Sequence, residues 1–214
     1  AIITGAGQKF FCPGWDLKAA SEGEAADTDY GPGGFGGLQE LPHLNKPVIA
    51  AVNGFCVGGG IGLVGNADVI VASDDAVFGL PEVDRGALGA ATHLARLVPQ
   101  HMMRTLYYTA QNVTAQQLEH FGSVYRVVTR EDLLDAAMEV AEKIATKDTR
   151  VIRAAKEAIN HIDPVDVKSS YRLEQGFTFE LNLAGVADEH RDAFVSTGKT
   201  LDTAASTSNG GSAR

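Results

Sequence analysis

PVIAAVNGFCVGGGIGLVGNADVIVAS (residues 47–73) decides the fold of this chain. The apolar, β-branched run PVIAAVN (47–53) predicts a strand. The glycines after it predict a turn, IGLVG (61–65) a short helix, and VIVAS (69–73) another strand. Upstream, AIIT (1–4) reads as a further strand, followed by the turn in FFCPGWDL (10–17). Beyond Pro99 the pattern becomes helical, over 101–110, 114–121, 131–147 and 149–160, with the strand-like SVYRVVT (123–129) between two of the helices. Thr114, and Thr129 with Asp132, mark helical starts. Strands mixed with short helices, then mostly helices, predict an α/β core over 1–130 and a helical region over 131–199. The polar, unpatterned stretch 200–214 predicts a disordered tail. Five glycines between Gly31 and Gly37 predict a mobile loop.

With 214 residues, 44% hydrophobic and 21% charged, the composition is that of one globular domain with at most a short appendage. Acidic residues outnumber basic ones by 27 to 18, a net charge of -9, which argues against nucleic acid or an anionic membrane surface as a partner. No apolar run is long enough to span a bilayer. Cys12 and Cys56 are too few for a disulfide scaffold and lack zinc-site spacing, so a reducing, cytoplasmic setting is expected, with no metal. No signal peptide opens the sequence, and a start directly in a strand at Ala1 reads as an interior cut.

Three segments could carry chemistry. Gly58, Gly59 and Gly60 follow a strand and leave backbone N–H groups uncovered for an approaching ligand. Gly60, Gly62 and Gly65 also satisfy GxGxxG, but the next strand follows too soon for a dinucleotide-binding crossover. In the second segment Pro13 has no N–H, so a donor comes from Gly14, Trp15 or a neighbour. Paired amides from two such turns are what stabilise an oxyanion. The third segment is VFGLPEVDRGALG (77–89), where Glu82 lies among Phe78, Leu80 and Val83. A carboxylate desolvated there would shuttle protons near neutrality; the bland alternative is a pair with Arg85. The six histidines show no metal-ligand spacing, and the two cysteines are most simply packing residues.

These turns, in this order, resemble the crotonase superfamily, the enoyl-CoA hydratase and isomerase fold. The matching pieces are AIITGAGQKFFCPGWDL (1–17), KPVIAAVNGFCVGGGIGL (46–63), FGLPEVDRGALG (78–89) and ADEHRDAFVSTGK (187–199). The resemblance implies a crotonase-like (ClpP/crotonase) α/β spiral of short strands and helices, with the helical C-terminal region used for trimers or hexamers. It implies an acyl-CoA substrate, with coenzyme A carried by the substrate rather than as a resident cofactor. The amides of Trp15 and Gly59 would hold the thioester oxygen while an enolate forms, and Glu82 would occupy one acid-base position. Cys12, Gly14, Trp15, Asp16, Leu17, Val57, Gly58, Gly59 and Pro81 would line the CoA site, with Asp84 and His93 as secondary catalytic candidates. The family's N-terminal hairpin and helix would precede AIIT.

One departure from the pattern matters for chemistry. Hydratases carry a second glutamate where this chain has Gly62, so two-carboxylate hydration is placed third. Residues 14–54 resemble carnitinyl-CoA dehydratases, whereas 53–73, 86–100 and 171–194 look like an actinobacterial hydrolase that opens a cyclic β-keto CoA thioester in steroid-ring degradation. Hydrolytic ring opening therefore leads, isomerisation of 3-enoyl to 2-enoyl thioesters follows, and a noncatalytic CoA-binding or assembly subunit is the alternative of another class.

Overall fold

A computed structural model of the chain describes residues 1–22, 30–41, 43–162, 171–172, 175–176, 179–180 and 182–198. The run after Pro47 lies at the centre of a four-stranded parallel sheet, ordered β1 (Ile2–Thr4), β3 (Ile49–Val52), β5 (Val69–Ser73) and β8 (Arg126–Val128). Ile2 faces Ile49, which in turn faces Val69. All four residues of β3 are buried, which explains why this strand reads as unbroken apolar sequence rather than as an alternation. Successive side chains still point to opposite faces. Ala50, Val52, Ile70 and Ala72 join the main core with Ile61, Val64, Phe78, Leu94 and Leu118. Ile49, Ala51 and Val71 face the other way, onto Leu133, Ala136 and Ala137 of helix α6 (Leu133–Ala145).

A second four-stranded sheet contains β2 (Phe10–Cys12), β4 (Phe55–Val57), β6 (Val77–Gly79) and β7 (Val113–Thr114). The first three are parallel and β7 is antiparallel to β6. Sequence patterning does not predict these strands, because two or three residues are too few to show a period. Between the sheets runs helix α2 (Gly59–Gly65), the helix predicted after the glycine turn. Other helices are α1 (Leu17–Ser21), α3 (Ala91–Leu97), α4 (Gln100–Thr109), α5 (Ala115–His120), α7 (Thr149–Ile162) and α8 (Val186–Thr197).

Thr114 starts α5 as expected. Its hydroxyl accepts from Gln117 N at 3.3 Å, while Gln117 Oε1 accepts from Thr114 N at 2.9 Å, a reciprocal capping box. Thr129 does not itself start a helix: its hydroxyl donates to Asp132 Oδ2 at 2.7 Å, and α6 begins after Asp132. Glycines 31–37 form a turn, with a 3₁₀ segment at Phe35–Gly37, that packs along α2. The expected disordered tail, 200–214, lies outside the described residues. Among the described residues no helix is long and apolar enough to cross a membrane, and no three His, Cys, Asp or Glu side chains are grouped to hold a metal.

Candidate active site

Because β2, β4 and β6 are parallel, their C-terminal ends open onto one edge, and the loops that follow lie side by side. Cys12 of β2 is in register with Cys56 of β4, and Trp15 and Gly59 each come three residues later. Cys56 is in register with Phe78 of β6, and Glu82 comes four residues after that. Such an edge, outside the carboxyl ends of parallel strands, is where α/β proteins place ligands.

The glycines let these loops touch. Gly14 has φ +90°, and a Cβ there would lie 2.9 Å from Gly59 N and 3.2 Å from Val57 O. Gly58 has φ +60°, and a Cβ there would lie 2.9 Å from Glu82 Oε1. Both dihedrals disfavour any side chain, and both spaces are already filled. Gly58 N donates to Gly79 O at 3.1 Å, tying the exit of β4 to that of β6. Gly59 is the first residue of α2, so its N–H has no carbonyl one turn back to bond.

Glu82 sits in a 3₁₀ turn, Pro81–Arg85, opened by Pro81 at a position that needs no N–H donor. Its backbone carbonyl accepts from Ala87 N at 3.0 Å, and its Oε2 is buried. Phe78 and Leu80, just ahead of it, are buried as the sequence suggested. Helix α8 closes over this turn. The Arg85 guanidinium lies 3.8 Å from the Phe194 ring centroid, and a Cβ on Gly86 would meet Val186 O at 2.9 Å.

Gly14, Trp15, Val57, Gly58, Gly59, Pro81 and Glu82 are thus brought to one edge. The Trp15 indole Nε1 is buried with no hydrogen-bond partner among the described residues. Asp16 serves the neighbouring helix instead, where its Oδ1 accepts from Lys18 N and Ala19 N at 2.9 and 3.1 Å and caps α1, whose first residue, Leu17, is half-buried. Cys12 lies on the strand rather than in the loop. Burial, with a smaller contribution from Cys12, pushes the Cys56 thiol up, so it stays protonated and packs beneath Gly60. Asp84 shares the turn with Glu82 and is half-buried.

His93 is not brought to this edge. It lies on α3 against Gly65, at the other end of α2, and is 0% exposed. Asn66 Nδ2 donates to Gly62 O and to His93 Nε2, each at 2.9 Å, which puts the imidazole proton on Nδ1. Burial, helped by the charge of Arg96, pulls its pKa down to about 4, so the ring is neutral at pH 7.

Two residues packed against the glycines of α2 have no role in the sequence reading. Phe35 lies on α2 so that a Cβ on Gly59 would come within 3.1 Å of its Cδ1, and Tyr30 meets the ring edge-on at 5.2 Å. Gln39, 1% exposed, holds its carboxamide against Gly62: a Cβ there would lie 2.7 Å from Gln39 Cδ and 2.9 Å from Oε1. Its Oε1 is buried with no partner among the described residues. The only sequence signal for Gln39 was indirect, since a glycine in place of a long side chain leaves space that something must fill.

A profile of the enoyl-CoA hydratase/isomerase family matches residues 1–199. The chain belongs to that family. Among the relatives of this enoyl-CoA hydratase/isomerase family member is a (7aS)-7a-methyl-1,5-dioxo-2,3,5,6,7,7a-hexahydro-1H-indene-carboxyl-CoA hydrolase of Rhodococcus jostii (strain RHA1). The two are 72% identical over 200 residues, covering 92% of this chain and 78% of the relative. The Mycobacterium tuberculosis protein of the same name is 64% identical, covering 91% and 80%. A carnitinyl-CoA dehydratase of Proteus mirabilis is 44% identical, covering 81% and 67%. Among solved structures, carnitinyl-CoA hydratase from Mycobacterium avium superimposes with a TM-score of 0.83 at 32% identity, covering 95% and 80%. The crotonase fold expected from the turns is therefore the fold of this chain.

Proposed function

We propose that this acyl-CoA enzyme hydrolyses a carbon–carbon bond in a cyclic β-keto CoA thioester, opening the ring. The observation that carries the proposal is the 72% identity to a hydrolase whose name describes a bicyclic keto-acyl CoA. A site with Glu82 and no second carboxylate at Gly62 agrees with it.

Glu82 takes one proton from a water molecule as its oxygen bonds to the ring ketone carbon, giving a hydroxy-alkoxide. Collapse of the alkoxide breaks the bond to the thioester α-carbon and leaves a carboxylic acid at the former ketone. The electron pair moves onto the thioester as an enolate, whose oxygen is held by the amides of Trp15 and Gly59. Glu82 then returns its proton to the α-carbon. The net change is addition of one water and cleavage of one bond, with no redox partner.

Heavy-oxygen water tests this directly. Incubation with a bicyclic β-keto CoA thioester should add one water and place one label in the new carboxyl group, with CoA still attached. Release of free CoA, or binding without turnover, would reject ring opening, the latter in favour of a noncatalytic subunit. The second reading, 3-enoyl to 2-enoyl isomerisation, needs the same amides and only one proton carrier, and Glu82 could serve.

The chain works in the cytoplasm, where unlinked Cys12 and Cys56 are stable. It assembles as a homotrimer or hexamer through its helical C-terminal region, where Leu134, Met138, Val151 and Ile159 are exposed on α6 and α7. Sedimentation of the purified protein checks that assembly.

A further inference from the structure

We infer that the Gln39 carboxamide, which fills the space left by Gly62, is a second polar group of the active site and binds the ring ketone and its attacking water. The inference rests on the ring-opening reading above and adds to it a residue that the family pattern does not point to.

Three observations meet at this side chain. First, Gln39 stands where a side chain on residue 62 would begin, since a Cβ on Gly62 would overlap its amide. Glycine at 62 is therefore not an open gap; the amide fills it from a different part of the chain. Second, the side chain is 1% exposed, yet its Oε1 meets no donor among the described residues. A buried carbonyl left so is uncommon, and ligand or catalytic duty is one of the few reasons it persists. Third, Gly58 and Gly62 are four residues apart, an offset of about 6 Å along a helix. Glu82 lies against Gly58 and Gln39 against Gly62, so α2 is flanked by a carboxylate at its start and a carboxamide one turn further in.

The chemistry of ring opening suits that pair. Attack on the ketone needs a base for one hydrogen of the water, an acceptor for its other hydrogen, and a donor for the oxygen that becomes an alkoxide. Glu82 supplies the first. The carboxamide supplies both others, because one end accepts and the other donates two hydrogen bonds. A carboxylate at this place would offer no hydrogen bond to the developing alkoxide and would repel it, so an amide fits hydrolysis of a ketone better than a glutamate does. Phe35, from the same turn segment, places an apolar ring against Gly59.

The test separates this role from the rest of the mechanism by using two reactions of the same site. Exchange of an α-proton of a saturated acyl-CoA with solvent deuterium needs only the oxyanion amides and Glu82. Ring opening needs the ketone-binding group as well. Gln39→Met keeps the length of the side chain and removes both hydrogen-bonding ends. It should lower kcat for ring opening by about 10²-fold, leave KM for the thioester nearly unchanged, and leave α-proton exchange within a factor of two of wild type. Glu82→Gln, in contrast, should lose both reactions. Thermal unfolding of Gln39→Met should match or exceed wild type, because a buried oxygen with no donor among the described residues is removed. Equal loss of exchange and ring opening in Gln39→Met would show that Gln39 only supports the fold, and unchanged ring opening would remove it from the reaction; either overturns the inference. Should Gln39→Met not fold, Gln39→Leu and Gln39→Asn carry the same comparison, with Asn expected to recover part of the lost kcat. A wild-type protein that exchanges α-protons but opens no β-keto ring would overturn the functional proposal and this inference with it, while leaving the oxyanion site standing.

Discussion

The two ends of α2 each bury a polar group against a glycine, and they do opposite things with it. At the start, Glu82 lies against Gly58, beside loops at the open ends of parallel strands, and Gln39 lies against Gly62 one turn further in. At the finish, His93 lies against Gly65 with its Nε2 bonded to Asn66 and its ring edge-on to Tyr171 at 5.3 Å. The first arrangement sets polar atoms where the proposed reaction would use them. The second uses an imidazole as a core residue that stays neutral. The difference teaches that burial of a titratable group is not by itself a sign of catalysis; the neighbouring strand ends decide.

Removing the carboxylate should have the largest effect. Glu82→Gln should lower kcat by about 10²–10⁴-fold, the usual worth of a general base, with thioester binding retained in a calorimetric titration. If both ends of α2 were catalytic, His93→Gln would do the same; the expectation is that turnover per folded molecule stays near wild type.

The next effect is on stability. His93 has an ordinary pKa of 6.5 that is lowered to about 4 in the fold. Above pH 6.5 the ring is neutral folded and unfolded, so its full contribution is present. As pH falls toward 4 the unfolded chain gains a proton that the folded chain refuses, and stability drops by up to about 3 kcal/mol. Urea unfolding between about pH 7 and about pH 4 should show this loss, and His93→Gln should flatten it.

A smaller effect is expected from Gly65→Ala, whose Cβ would lie 3.0 Å from His93 Cα and 3.1 Å from His93 O. Backbone must move to admit it, at a cost of about 1–3 kcal/mol. The thermal midpoint should fall by about 2–4 °C per kcal/mol, with kcat kept. Thr114→Ala, far from either end, removes one half of the α5 capping box and should cost about 1 kcal/mol with no effect on turnover.

The sequence was legible where strands were long or buried on both faces. PVIAAVN and VIVAS became β3 and β5, and the change to helical spacing after Pro99 was visible for the same reason: enough residues repeat to show a period. The second sheet was hidden because FFC, FCV and VFG are three residues each, and their pairing depends on neighbours distant in the chain. Glycines 58 and 59 and Glu82 stood out from their flanking residues and gained roles by resemblance, whereas Gln39 did neither. Nothing in LQEL (38–41) hints at a function, because what gives Gln39 a place is the absence of a side chain on Gly62. Within 31–37, Gly36 comes up against Leu63 of α2, where a Cβ would lie 2.9 Å from Cδ2, a contact that the run of glycines does not reveal in the sequence.

The shared rung at Cys12 and Cys56 makes the site a matter of counting. Strands in a sheet stand about 4.8 Å apart, and equal three-residue steps from that rung lead to Trp15 and Gly59. The two loops are thereby anchored to one register, which is set where the pairing of β2 and β4 shifts between Phe10 and Cys12. Substitutions that change bulk or charge leave that register intact except at Gly14 and Gly58, where dihedral and space both exclude a side chain. A one-residue insertion or deletion between Cys12 and Trp15, or between Cys56 and Gly59, would break it, so outside Gly14, Gly58 and Gly59 these two loops should tolerate change in letter far better than change in length.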